Sequence, residues 1–217
     1  TFDLITGSKE KINKIPGCGP RPKSFANTIG NENYMSILTG DTAILMNSKT
    51  KQWIANLKAN SPIRGGSFSA DSRTLTTCGM DGEVYIWDLR ERRCIHRFKD
   101  DGAVHCTSIG QSNNNQYCAI GSASGIVNVY NQDDIIQSEN PTPLKSISNL
   151  VTETTRTKFN HDTQMLGISS SVHDRQFRLV CYITGFIGIL TGGSGSSSKL
   201  QSILELACIY RSSSFCV

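Results

Sequence analysis

Apolar and polar residues follow one another in short runs along most of this chain. In EVYIWD (83–88), Val84 and Ile86 point to one side of an extended backbone, and Tyr85 and Trp87 to the other. Both sets are apolar. The run therefore reads as a strand covered on both faces, because a sheet half-exposed to water carries polar residues on one side. Such runs are bounded by clusters of Gly, Asn, Asp and Ser, the residues that close β-turns. The pattern predicts an all-β chain of many short strands.

The pattern repeats. GSASGIVNVYN (121–131) has the layout of GMDGEVYIWDL (79–89): a turn with glycine, then an alternating strand ending in an aromatic. Gly82 matches Gly125 and Trp87 matches Tyr130, each 43 residues apart. Upstream, GSFSADSRTLTTCG (66–79) resembles SIGQSNNNQYCAIG (108–121), which sets Phe68 against Ile109 and Leu75 against Tyr117. Two further copies, FNHDTQMLGISSSVHDRQFRLV (159–180) and the weaker FANTIGNENYMSILTGDTAILMN (25–47), place Phe25, Phe68, Ile109 and Phe159 at one point of the repeat. The spacings are 43, 41 and 50. The long interval holds QSENPTPLK (137–145), whose prolines and polar residues predict an inserted surface loop.

A period near 40, with four short strands per unit and Trp-Asp closing the third, is the signature of a propeller blade. One four-stranded blade cannot bury both of its faces, whereas stacked blades cover each other. The expected fold is a partial WD-repeat β-propeller of about four blades of antiparallel strands, with an irregular C-terminal tail. The blades fall at about 22–58, 62–99, 103–148 and 151–181. Residues 1–21 precede them and hold, at 8–15, the outer strand of an earlier blade. Residues 182–217 form a tail with a Gly/Ser linker, TGGSGSSS (191–198), and a short helix with Leu200, Ile203, Leu204, Ala207 and Tyr210 on one face.

In WD repeats the Trp of the third strand packs within its blade. It joins a turn Asp, a strand Ser or Thr, and a His of the preceding loop. Trp87, Asp81 and Thr76 or Thr77 resemble three of these, and Asn60-Ser61-Pro62 stands where the His is expected. With Gly82, Gly125 and Tyr130 they are assigned structural roles.

Several longer stretches narrow the resemblance. They are KINKIPG (11–17), TKQWIANLKAN (50–60), GEVYIWDLRERRCIHRFKDDG (82–102), and NVYNQDDIIQSENPTPL (128–144) running into KSISNLVTETTRTKFNHDTQMLGISSS (145–171). From about Lys11 to Val180 the chain resembles the family of U3 small nucleolar RNA-associated protein 18, a WD-repeat subunit of the small-subunit processome. The resemblance implies a nucleolar, non-enzymatic scaffold without cofactors. It implies partners among the other processome proteins, pre-rRNA and the U3 small nucleolar ribonucleoprotein. It also implies a role in maturing the RNA of the small ribosomal subunit. After Val180 the sequence departs from the family pattern. The expectation there is a truncated, spliced or wrongly joined product whose blades do not close a ring.

Composition adjusts this picture little. The chain has 217 residues, 37% of them hydrophobic, and a net charge of +4. That suffices for a real core but is only mildly basic. The longest apolar run, CYITGFIGIL (181–190), is too short to span a bilayer as a helix. The chain opens at Thr1, so the lack of a leader carries no weight. Eight Cys form no C-x-x-C pair or zinc-finger spacing, and no N-x-S/T acceptor occurs. Reduced thiols in a cytosolic or nuclear protein fit best.

Three chemical signals reduce to structure. GGSGSSSK (192–199) lacks the Gly-Lys-Ser/Thr order of a phosphate loop. His173-Asp174 falls in a hairpin turn rather than a triad. His96 and His105, beside Cys94 and Cys106, lack metal-site spacing and read as packing. No nucleophile, base and oxyanion donor converge, so an enzyme is the weakest class.

The surface candidates are these. For RNA phosphates they are Lys9, Lys11 and Lys14, with Arg21 and Lys23, and Arg90, Arg92, Arg93 and Arg97. For protein partners they are Asp133, Asp134, Asn140, Pro141 and Lys145 of the insertion. A WD-repeat adaptor in an unrelated complex, and a product that does not assemble, are the rival functions.

Overall fold

The computed structural model describes residues 27–30, 33–148, 150, 152–172, 177–181 and 188–192. They form four antiparallel sheets of four strands, each built from consecutive strands. The first holds β1 (Asn27–Gly30), β2 (Tyr34–Thr39), β3 (Thr42–Asn47) and β4 (Trp53–Lys58). The second holds β5 (Ile63–Phe68), β6 (Thr74–Gly79), β7 (Glu83–Asp88) and β8 (Arg93–Lys99). The third holds β9 (Cys106–Gln111), β10 (Tyr117–Ser122), β11 (Val127–Asn131) and β12 (Lys145–Ile147). The fourth holds β13 (Arg156–Phe159), β14 (Met165–Ser169), β15 (Phe177–Cys181) and β16 (Gly188–Gly192). The architecture is that of a partial propeller, as the repeat predicts.

The core lies between the sheets. Leu38, Ala43, Leu45 and Leu57 of the first sheet meet Leu75, Tyr85 and Trp87 of the second. Val84, Ile86 and Phe98, on the other face of the second, meet Cys106, Ile109, Cys118, Ile120 and Tyr130 of the third. Ala119, Val127, Val129 and Ile147 of the third meet Phe159, Leu166 and Ile168 of the fourth. The strict alternation along β7 thus feeds two separate junctions, one per face.

Three expectations are corrected by the structure. First, Phe68 lies opposite Leu75, and Phe159 opposite Leu166, but the same place in the third sheet is Gln111 opposite Cys118. Ile109 lies two residues short of it and faces Ile120. The turns fix this register. Ser69 takes the amide of Thr74 on its hydroxyl as Ser112 takes that of Tyr117, at 3.0 and 2.9 Å. Polar Gln111 is tolerated there because its amide nitrogen donates to Thr76 Oγ1 at 2.7 Å and its backbone amide to Ser67 Oγ at 3.3 Å.

Second, the fourth sheet does not end at 181. Gly188–Gly192 pairs with Phe177–Cys181 and supplies the outer strand, taking in the first two residues of the expected linker. An edge strand of Gly, Ile, Leu and Thr satisfies β15's free backbone groups, whatever the family pattern. Third, the insertion is not a plain loop. Gln132–Gln137 forms one helical turn and a half, α1, and Ile135 is buried at 1% exposure among the residues between the second and third sheets. The expected strand at 8–15, the helix after Leu200 and the His173-Asp174 turn lie outside the described residues.

Two turn glycines explain their place in the repeat. Gly82 and Gly125 have φ of +79° and +84°, a region side chains rarely adopt. A Cβ on Gly82 would meet Ala103 O at 2.7 Å, and one on Gly125 would meet Leu150 O at 2.3 Å. Each turn therefore sits flush against the loop leading to the next sheet. Gly125→Ala should cost about 2 kcal/mol or more of unfolding free energy in a urea titration, from strain plus the clash. Gly40→Ala is the control, since φ is +53° there and nothing lies within 4 Å of the new Cβ. It should cost only about 1 kcal/mol.

Candidate binding surfaces and the residues that shape them

The Trp-Asp site is a packing site. Trp87 Nε1 donates to Thr77 Oγ1 at 2.9 Å, and the indole stacks on Tyr85 with centroids 5.6 Å apart. Thr76 points elsewhere, to Gln111. Asp81 caps its own turn, accepting the amide of Glu83 at 3.0 Å. Its carboxylate and the Ser61 hydroxyl close over Gly79 from two sides. Ser61, where the His is expected, keeps a buried hydroxyl with no partner among the described residues.

The third sheet lacks this arrangement for a reason that pairing reveals. Ile120 occupies the position of Thr77, and Asn128 that of Tyr85. Tyr130, in the place of Trp87, therefore has Ile120 where Trp87 has the Thr77 hydroxyl. It donates instead to Asp100 Oδ1 at 2.6 Å and accepts the amide of Asp101 at 2.9 Å. Asn128 Nδ2 adds a bond to the same carboxylate oxygen at 3.0 Å. Asp100 is 2% exposed. Burial pushes its carboxyl up to about 6, against the opposing pull of the Tyr130 and Asn128 hydrogen bonds. Asp100 and this network carry no motif and were not legible as a site.

Among the described residues the cysteines and histidines do not converge on chemistry. Cys78, Cys94, Cys106 and Cys118 are free thiols. Burial pushes Cys78 up to about 12, and it raises Cys106 and Cys118 too, so these thiols stay protonated and unreactive. His96 Nε2 lies 3.1 Å from the Ser138 carbonyl, and His105 Nδ1 contacts that of Met80. Among the described residues no group of three or more His, Cys, Asp and Glu is placed to hold a metal ion.

Two surfaces remain. One is the edge formed by the β5–β6 type and β7–β8 type turns. Arg90 and Arg92 stand exposed in the turn after Asp88, whose carboxylate takes the amides of Arg90 and Glu91 at 2.7 and 2.9 Å. Arg93 pairs with Glu91. Arg97 lies apart, further along β8, 3.6 Å from Glu83. The four arginines are therefore not one patch. Exposed Arg73 joins the first three, because its carbonyl accepts the Leu89 amide, and exposed Lys49 occupies the matching turn of the first sheet. The missed signal was position, since both sit in turns at this same edge. Lys9, Lys11, Lys14, Arg21 and Lys23 lie outside the described residues.

The other surface is the insertion. Asp133, Asp134, Asn140 and Lys145 are exposed, but Pro141 is buried and serves packing. Ile135 and the His96–Ser138 contact hold the insertion against the second sheet's outer strand. It is thus a fixed ledge across two sheets, with Ile136 and Leu144 exposed at 57% and 55%.

This array is that of a WD-repeat protein, and the WD domain, G-beta repeat family matches residues 51–88. The match starts just before β4 and ends on Asp88, so the sequence repeat runs one strand out of phase with the sheet. The chain is similar to the U3 small nucleolar RNA-associated protein 18 homologs of Homo sapiens, Mus musculus and Arabidopsis thaliana. Identities are 40%, 37% and 34%, over 81%, 82% and 83% of this chain. These matches cover 30%, 33% and 33% of the relatives, so the chain spans about a third of their length. Over that four-fifths of its length the chain belongs to the U3 small nucleolar RNA-associated protein 18 family.

Two measurements test these assignments. Asp100 binds its proton more tightly folded than unfolded, where 3.8 is the ordinary value. Its contribution is therefore full below about pH 4 and is lost as pH rises through about 6, on the order of 3 kcal/mol for two pKa units. Asp100→Asn should flatten that part of the stability–pH curve relative to the unaltered chain. Separately, Ile135→Ala should cost about 2–4 kcal/mol by leaving a cavity, while Asp134→Asn should stay within about 0.5 kcal/mol in the same denaturation assay.

Proposed function

We propose that this chain is a non-enzymatic WD-repeat scaffold of the small-subunit processome, acting in nucleolar pre-rRNA processing and 18S rRNA biogenesis. The observation that carries the reading is the likeness, over four-fifths of the chain, to relatives named for association with U3 small nucleolar RNA. It works by holding neighbours rather than by chemistry. The partners are other processome proteins, with pre-rRNA and the U3 ribonucleoprotein, in the nucleus and nucleolus.

Two surfaces divide the work in this reading. The edge carrying Lys49, Arg73, Arg90, Arg92 and Arg93 meets RNA phosphates, because exposed cations in turns neutralise backbone charge without reading sequence. The insertion, acidic at Asp133 and Asp134 with Asn140 and Lys145 beside them, meets protein. Its rigidity supports this, since a pre-ordered ledge loses little entropy on binding.

Affinity purification of the tagged chain, beside a full-length relative, tests the scaffold role. Recovery of U3 small nucleolar RNA and small-subunit precursors with both is expected, and recovery with neither would sink the reading. In RNA binding, Arg90→Ala with Arg92→Ala should lower the slope of log affinity against log salt by about 1–2. An unchanged slope would remove this edge from the RNA path.

A further inference from the structure

The chain contains six prolines, and two of them follow a hydroxyl residue: Ser61-Pro62-Ile63-Arg64 and Thr142-Pro143-Leu144-Lys145. Both present the same order, a hydroxyl, a proline, an apolar residue and a cation. That is the pattern a proline-directed protein kinase reads. Proline at the next position holds the acceptor's backbone extended, and the cation three residues on fixes the register. As sequences the two are equivalent. As structures they are not.

Ser61 is half-buried, and its reactive atom is shut in. Its hydroxyl is buried over Gly79, and the segment around it is tied to both neighbouring turns. Pro62 O accepts the Met80 amide at 3.0 Å, and the Ile63 amide donates to Gly40 O at 2.7 Å. Ile63 itself is buried as the first residue of β5. Presenting Ser61 to an enzyme cleft requires peeling this loop from two sheets.

Thr142 is the opposite case. It is exposed, and it lies between α1 and β12 in a stretch with no helix or strand. Prolines on both sides bias it to the extended polyproline conformation, so little ordering remains to be done. Pro141 is buried and anchors one end of the stretch, and the Leu144 amide bonds Val129 O at 2.8 Å at the other. Leu144 is exposed just before β12, and Lys145 and Ser146 are exposed on it, the outermost strand of the third sheet, where no further strand competes.

We propose that Thr142 is a phosphate-acceptor site for a proline-directed kinase, and that the fold excludes Ser61 from the same enzyme. In the reaction Thr142 Oγ attacks the γ-phosphorus of a nucleoside triphosphate. The Oγ–P bond forms, the bond to the β-phosphate bridging oxygen breaks, and the nucleoside diphosphate leaves. The hydroxyl proton passes to the kinase's base. The product adds roughly −1.5 to −2 charge to a ledge that already exposes Asp133, Asp134 and Glu139. The cationic edge of the first two sheets is left unchanged.

The test uses the full chain, a cyclin-dependent kinase and ATP, with sites mapped by mass spectrometry over time. Synthetic peptides spanning each motif give the rates without the fold. Both peptides should be phosphorylated. In the folded chain Thr142 should be labelled about tenfold faster than Ser61 or more, since access to Ser61 needs local opening. Thr142→Ala should abolish the fast label. Pro143→Ala should remove most of it while circular dichroism stays unchanged, which separates lost recognition from lost folding. Labelling of Ser61 as fast as Thr142 in the chain overturns the proposal. So does a Thr142 that stays unlabelled while its peptide reacts, or a pair of peptides that the kinase ignores.

Discussion

Every sheet in this molecule depends on the one beside it. A strand such as β7 carries Val84 and Ile86 on one face and Tyr85 and Trp87 on the other, and no single sheet covers both. Burial comes only from stacking, and the three apolar clusters lie at the three junctions between consecutive sheets. Each fully buried large side chain there contributes roughly 1.5–3 kcal/mol, so no sheet stands without its neighbour's face. This constraint sets the rest. Turns must be tight enough to leave faces clear, and loops between sheets must lie flush, as Gly82 and Gly125 allow.

Polar cross-ties add direction to that stacking. Thr107 Oγ1 donates to Thr154 O at 2.6 Å across the third junction, and Gln111 reaches Thr76 across the second. The Asp100 network ties the loop leaving the second sheet to the central strand of the third. At the first junction the equivalent loop position is Ala59, a small buried apolar residue. The two junctions therefore solve the same geometry differently. Trp87 uses a hydroxyl within its own sheet, whereas Tyr130 uses a carboxylate from outside it.

The surface inherits its chemistry from topology. Turns joining first to second and third to fourth strands share one edge, so Lys49, Arg73, Arg90 and Arg92, distant in sequence, face one side. The insertion leaves that same edge but folds back, because Ile135 finds an apolar site between two sheets. A polar, proline-containing run thereby becomes a fixed ledge. Its residues divide into buried anchors, Ile135 and Pro141, and exposed contacts.

The sequence by itself determined the class of fold, the four-stranded repeat unit and the turn glycines. Each follows from local rules: alternation with period 2, a repeat near 40 residues, and positive φ in turns. The family resemblance was legible for the same reason, since its carrying runs are contiguous. Tertiary structure decided what contiguous patterns cannot carry. It set the register that puts Gln111 rather than Ile109 opposite Phe68's equivalent partner, because cross-strand pairing depends on turn hydrogen bonds. It supplied the fourth sheet's outer strand from residues expected in the tail, two of them in the linker, because an open ladder takes whatever backbone reaches it. It brought Asp100 to Tyr130 across 30 residues. And it separated Ser61 from Thr142, two motifs of one pattern, because exposure is a property of the packed chain and not of the residues that spell the motif.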